Sequence, residues 1–150
     1  VVFEMGCQHG TYVRKWISDL GQSLGIVAHM SGLVRLQAGP LKLKDSVTLE
    51  KLGAAFEKKK IEKVILAPEE CVQHLPQAYV DAGALEYISH GSPVFAPGVV
   101  AVTSEMKKGD TVAVFDTKSN LLALGLAEMD AEDALRAEKG MVVKTDVVVI

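Results

Sequence analysis

Arg14 closes the run Gly10-Thr11-Tyr12-Val13-Arg14, which lies where a β-branched stretch gives way to a helical pattern. An arginine at a helix start faces the unfavourable positive end of the helix dipole, so it is best explained if a carboxylate from elsewhere in the fold pairs with it. The plainer alternative is an ordinary surface arginine. A second constellation has a different chemistry: His90-Gly91-Ser92-Pro93-Val94, Ala96-Pro97-Gly98-Val99, Lys107-Lys108-Gly109-Asp110, Ala123-Leu124-Gly125-Leu126-Ala127 and Lys139-Gly140-Met141-Val142-Val143-Lys144. Glycines let a nucleic-acid backbone approach the main chain, and peptide groups exposed there can read the edges of unpaired bases. The simpler role is turn formation, expected at Gly109 and Gly125. Cys71 and His74 have the spacing of two zinc ligands, but no second pair matches and structural zinc generally needs four donors, so no metal is expected. Cys7 and Cys71 read as two reduced thiols rather than a disulfide framework.

A formal net charge of -3 argues against a general nucleic-acid coat protein, but the charge is unevenly placed. Between Arg35 and Lys63 the basic residues Arg35, Lys42, Lys44, Lys51, Lys58, Lys59, Lys60 and Lys63 outnumber Asp45, Glu50, Glu57 and Glu62, whereas Glu128 to Glu138 is strongly acidic. That asymmetry permits a local phosphate-binding face, although Lys58 to Lys60 alone equally fit a solvated helix.

The elements that must position these residues follow from periodicity. Val1 to Cys7 predicts a strand ended by His9-Gly10, and Val13, Trp16, Ile17, Leu20 and Leu24 recur at helical steps over Tyr12 to Leu24, with Gly25 as a left-handed stop. Ala28 to Leu36 predicts another strand closed by Gly39-Pro40, and Thr48 caps a helix running to about Lys59. Ile61 to Pro76, with two prolines and a short apolar segment, reads as an ordered linker. Strands are then expected at Gln77 to Val80, Val94 to Phe95, Thr111 to Phe115, Leu121 to Ala127 and Met141 to Val149, with helices at Asp81 to Ser89 and Asp130 to Ala137. Lys108-Gly109-Asp110 and Lys118-Ser119-Asn120 supply tight turns, and the regular short strands predict a small barrel, closed to protect its edges. The 49% hydrophobic and 23% charged composition supports a packed core. No apolar run reaches the roughly 20 residues that cross a bilayer, so no membrane partner is expected.

The run CQHGTYVRKWISDLGQSLGIVAHMSGLVRLQAGPLKLKDSVTLEKL resembles the C-terminal motif region of TruB-type and dyskerin-type pseudouridine synthases. The resemblance rests on the pentapeptide Gly10 to Arg14, a helix of matching length, Ala28-His29-Met30 and Gly39-Pro40 in the family's order. The glycine-rich series from about Gln77 to Ile150 resembles a PUA domain, and His74-Leu75-Pro76 followed by a strand, a helix and His90-Gly91 is more similar to the archaeal and eukaryotic members. This implies an α+β fold: the C-terminal part of a mixed-sheet catalytic domain over 1–60, a linker over 61–76 and a small β-barrel PUA domain over 77–150.

In that family a catalytic aspartate attacks the uridine and the motif arginine pairs with it, which implies that role for Arg14 and a pocket-wall role for Tyr12 and Leu33. Without the resemblance, both would read as core. The bidentate guanidinium would keep the carboxylate ionised and aimed. The resemblance further implies that the PUA domain grips the ACA end of an H/ACA guide RNA, through His90, Gly91, Ser92, Pro93, Pro97 and Gly98, with Lys144 on a phosphate. No cofactor is implied. Partners would be guide and substrate RNA, small accessory proteins of the H/ACA particle and an N-terminal catalytic half, in the cytoplasm of an archaeon or the nucleolus of a eukaryote.

Two departures bear on function. The family's Leu-Arg-Arg-Thr-Arg-Ser-Gly is here Leu33-Val34-Arg35-Leu36-Gln37-Ala38-Gly39, which leaves Arg35 as the candidate RNA contact. The family's His-x-Gly-x-Leu-Asp catalytic segment does not occur, and the chain starts without Met inside a strand-like run, so an upstream portion is expected to be missing and this stretch should not isomerise uridine alone. The competing reading is a non-catalytic RNA-binding module derived from such an enzyme. A PUA domain on a transglycosylase or small-molecule kinase would leave Gly10 to Arg14 and Gly39-Pro40 unexplained.

Overall fold

In a computed structural model describing residues 1–149, the chain divides into two compact units, the first over Val1–Leu36 and the second beginning at Gln37. The expected last domain, 77–150, ends on Ile150, which lies outside the described residues.

The first unit is built on helix α1 (Val13–Ser23). Its end is a Schellman turn: Ile26 N–H donates to the Gly21 carbonyl (3.0 Å) and Gly25 N–H to Gln22 (3.1 Å), with Gly25 at φ 70°. The chain then doubles back so closely that a Cβ on Gly21 would sit 2.5 Å from Ala28 Cβ. Phe3 and Trp16 pack as a tilted aromatic pair, 5.7 Å between centroids. Neither Val1 to Cys7 nor Ala28 to Leu36 forms a strand, which corrects both expectations. β-branched composition favours extended backbone, but a strand needs a neighbour to complete its ladder, and among the described residues neither segment has one.

The second unit opens with a two-residue hairpin, β1 (Gln37–Ala38) and β2 (Leu41–Lys42), turning at Gly39-Pro40 with Gly39 at φ 57°. Helix α2 (Leu49–Glu57) follows, capped by Thr48 Oγ1 accepting from Lys51 N–H at 3.4 Å, then a 3₁₀ turn at Ile61–Lys63 and the short helix α3 (Pro68–Cys71). Next come β3 (Gln77–Val80), α4 (Ala82–Ser89), β4 (Val94–Phe95), β5 (Val99–Val102), β6 (Thr111–Asp116), β7 (Leu121–Ala127), α5 (Ala131–Arg136) and β8 (Met141–Val148).

The six strands β3 to β8 form one mixed sheet in the order β4-β8-β7-β6-β3-β5, parallel between β3 and β6 and antiparallel elsewhere. It curls into a nearly closed barrel. Its outermost strands, β4 and β5, are joined by a single 3₁₀ turn at Ala96–Gly98. Inside lie Ala78, Val80, Ile88, Val94, Met106, Val112, Val114, Leu122, Val142 and Val143, each almost wholly buried. A buried side chain of this size contributes about 1.5–3 kcal/mol, so this layer dominates stability.

The alternate residues of β6 point outward yet are also covered: Ala113 and Phe115 join Leu121 and Val72, flanked by Cys71, Leu75 and Tyr79, with Phe115 stacked on Tyr79 at 5.6 Å. Burial on both faces explains why β6 reads as a continuous apolar run rather than an alternation. Residues 68–76 thus cover the outer face of the sheet, and Glu69 Oε1 accepts from Leu121 N–H at 3.1 Å. That backbone hydrogen bond is the main cause holding the Glu69 carboxyl below its ordinary pKa.

Candidate nucleic-acid interface

Tyr12 is the residue that caps α1; its carbonyl accepts from Trp16 N–H at 3.0 Å while its side chain stands 82% exposed. Arg14 follows two positions on and is exposed, with no acidic residue in the first turn. Among the described residues Arg14 has no carboxylate partner; the ion pair on this helix is Lys15 with Asp19. Leu33 is 61% exposed and Arg35 is exposed, both in irregular backbone. The reading of Tyr12 and Leu33 as core is therefore overturned: their apolar surface is presented, not buried. What the helix corner offers is a planar, uncommitted guanidinium fork able to take a carboxylate in two parallel hydrogen bonds.

In the second unit the candidates are arranged around α4. Its C-terminus is another Schellman turn, in which Ser92 N–H donates to Tyr87 (3.0 Å) and Gly91 N–H to Ile88 (2.8 Å), with Gly91 at φ 81°. Gly91 is thus required by the helix stop itself. His90 Nδ1 lies 2.7 Å from the Glu86 carbonyl, which can only accept, so Nδ1 carries the proton and a neutral ring leaves Nε2 free as an acceptor. The Ser92 carbonyl accepts from Thr145 Oγ1 at 2.8 Å and Val94 pairs with Val143, which pins the His90–Pro93 loop beside β8 and Lys144.

Pro97 and Gly98 stand at the other end of α4. Asp81 N–H donates to the Gly98 carbonyl at 3.0 Å, and a Cβ on Gly98 would come within 3.1 Å of Ala84 Cβ. The candidate contacts therefore form a strip along an eight-residue helix, about 12 Å long at 1.5 Å per residue, rather than one point.

Gly125 belongs to this site in a way its sequence position conceals. It lies within β7, correcting its expected role as a turn, and an added Cβ would stand 2.2 Å from the Lys144 carbonyl oxygen. Only glycine lets β8 come that close, so Gly125 fixes the backbone that carries Lys144. Gly109, at φ 92°, is a turn glycine as expected. Sequence reasoning missed Tyr87, which is 67% exposed one turn before His90. The available signal was its place three residues from His90, off the stripe formed by Ala84, Leu85 and Ile88.

Asp116, the register partner of Val80 on β3, organises the β6–β7 turn. Its carboxylate accepts from Lys118 N–H (2.8 Å), Asn120 N–H (2.8 Å) and Asn120 Nδ2 (2.7 Å), supporting Ser119 at φ 66°. These donors, the Asn120 side chain first, lower its pKa. Cys71 lies in the outer apolar cluster, while a Cβ on Gly39 would stand 3.5 Å from the His74 ring. Among the described residues no three His, Cys, Asp or Glu side chains are placed to hold a metal.

Two family profiles account for most of the chain: a tRNA pseudouridylate synthase B C-terminal domain over residues 14–73 and a PUA domain over residues 76–149. The chain belongs to the TruB pseudouridine synthase family. It is 36% identical to a probable tRNA pseudouridine synthase B of Methanopyrus kandleri, covering 97% of this chain and 45% of the relative. A relative of the same description from Methanosarcina barkeri is also 36% identical, with 94% and 44% covered. The chain thus spans just under half the length of these TruB-family relatives.

Among solved structures, a chain of the archaeal box H/ACA sRNP Nop10-Cbf5 complex matches with a TM-score of 0.87 at 36% identity, over 94% of this chain and 48% of that one. A chain of an H/ACA RNP bound to a substrate RNA containing 2'-deoxyuridine matches with a TM-score of 0.83 at 34% identity, over 94% and 47%. The relatives are named as probable tRNA pseudouridine synthases, an isomerase class, and the TruB-family assignment matches the sequence resemblance.

Proposed function

We propose that this chain supplies the RNA-gripping barrel and the arginine side of the active site of an RNA-guided pseudouridine synthase. The observation that carries the reading is the TM-score of 0.87 over 94% of the chain to a protein of an archaeal H/ACA particle. The α4 strip then holds the ACA end of a guide RNA: Tyr87 offers a stacking face, His90 Nε2 and the loop peptides offer base-edge contacts, and Lys144 a phosphate contact. Arg14 holds an aspartate that lies outside these 150 residues. Tyr12, two residues before Arg14, and Leu33, both exposed, line the pocket for the extruded uridine.

In this scheme the aspartate is the nucleophile and Arg14 keeps it ionised; the base leaves the sugar through one ring atom and rejoins through another. The ring carbon that forms the new bond gives up one proton and the ring nitrogen that left takes one up, so the composition is unchanged and the isomerisation consumes no cofactor or co-reactant. Small accessory proteins would complete the particle.

Titrating the chain with an RNA hairpin ending in ACA and with the same hairpin carrying a scrambled end tests the RNA half of the proposal. Tighter binding of the ACA hairpin is expected, and His90→Ala with Tyr87→Ala should abolish the preference. Equal affinity for both hairpins at every salt concentration would remove the guide-RNA reading.

A further inference from the structure

We infer that residues 42–63 form a second RNA-contacting surface, an electrostatic track for phosphates separate in sequence from the α4 strip; this rests on the chain binding RNA as proposed above. Seven lysines fall in this stretch, Lys42, Lys44, Lys51, Lys58, Lys59, Lys60 and Lys63, against four carboxylates. All seven are exposed, and no ion pair among the described residues involves any of them. Of the carboxylates, Asp45, Glu57 and Glu62 are solvated, whereas Glu50 is engaged by the Thr48 side chain at the start of α2, which lowers its pKa.

Geometry gathers the charges. Lys51 and Lys58 are seven residues apart and so share one face of α2. Lys58 to Lys60 close its last turn, and Lys63 N–H donates to the Lys60 carbonyl at 3.1 Å, bringing these two residues together.

Lys59 is the informative member. The end of α2 is a Schellman turn like those after α1 and α4: Lys60 N–H donates to Ala55 (2.9 Å) and Lys59 N–H to Phe56 (3.0 Å). The equivalent position is Gly25 after α1 and Gly91 after α4, but here it is Lys59, at φ 53°. A side chain is disfavoured in that left-handed conformation, and glycine is the residue that adopts it freely. The other non-glycine residue at positive φ, Ser119, is held by the Asp116 hydrogen bonds; Lys59 has no side-chain hydrogen bond among the described residues. The helix dipole favours cations at this end, but Lys58 and Lys60 supply them already. A strained residue kept where glycine would be more stable marks a position held for its charge. Unpaired point charges spread along a surface suit a polyanion whose charge repeats along its length.

The test is the salt dependence of binding of the 150-residue chain to the ACA hairpin and its scrambled-end version. The variants are K51Q/K58Q/K60Q/K63Q, its K51R/K58R/K60R/K63R counterpart, Lys59→Gly, and K118Q/R136Q as a control. The glutamine variant, which removes four charges, should lose about 3.6 from the slope of log affinity against log salt, at roughly 0.9 per duplex phosphate contact, equally for both hairpins. The arginine variant and the control should keep the wild-type slope. Lys59→Gly should raise Tm by a few degrees while lowering the slope by about 1. An unchanged slope in the folded glutamine variant overturns the inference, as does an equal loss in the control; should the glutamine variant misfold, an unchanged slope in Lys59→Gly overturns it. A wild type that binds both hairpins alike while the glutamine variant loses slope leaves this surface standing and removes the guide-RNA reading instead.

Discussion

Residues 1–36 and the barrel from Gln77 onward are comparably rich in apolar side chains, yet they use them in opposite ways. In the first segment Val1, Val2, Phe3, Tyr12, Leu24, Val27, Leu33 and Val34 are exposed and a single helix provides the regular structure. In the barrel the apolar residues fill an interior and a second, outer cluster closed by residues 68–76. The difference teaches where each half of the function resides. The barrel closes on its own core, as the proposed RNA-gripping role requires, whereas the Arg14 corner presents an uncommitted charge and exposed apolar groups, as the proposed pairing with an aspartate outside these 150 residues requires.

That contrast can be broken by substitution. Ile88→Ala, which empties a barrel position only 1% exposed, should cost about 2–5 kcal/mol in urea unfolding. Gly125→Ala forces a methyl against the Lys144 carbonyl and should cost about 1–3 kcal/mol while weakening RNA binding through Lys144. Next in size is a pH effect. Asp116 and Glu69 have folded pKa values below their ordinary ones, so the stability they contribute is fully present above about pH 4–4.5 and is lost as pH falls through the lowered values. Acid unfolding of Asp116→Asn should therefore show a shallower loss of stability below pH 4 than wild type. The smallest effect belongs to the first segment: Leu33→Ala should change the stability of this chain by less than about 0.5 kcal/mol. A large loss there would mean that the segment has its own core and would erase the contrast.

Much of the barrel was legible because its signals are local. Helix α4 follows from Asp81, whose carboxylate accepts from Ala84 N–H at 3.0 Å, and from Gly91 at its stop; β3, β4 and β7 fall where apolar runs and turn residues put them. Strand β5 escaped because Val99-Val100-Ala101-Val102 follows directly on Pro97-Gly98 and exposes its middle residues, so no alternation marks it. The two strands expected in the first segment failed because pairing partners are not written in a strand's own composition. Of the candidate site, Gly91 was visible as a conformational requirement, while Gly125 was misread because its constraint comes from β8 across the sheet. Lys59 carried no local signal of its left-handed backbone. Family motifs named Arg14, but its availability is a matter of exposure that only coordinates reveal.

The central proposal is that Arg14 pairs with an aspartate that lies outside these 150 residues. Pseudouridine formation in a guide-bound substrate RNA, measured with the chain alone and with the polypeptide carrying the His-x-Gly-x-Leu-Asp segment added, tests it most directly. No product from the chain alone, product on addition of the second polypeptide, and loss of that product in Arg14→Ala with hairpin affinity unchanged are the expected results. Full activity of Arg14→Ala in the combined assay, or turnover by the chain alone, would contradict the account.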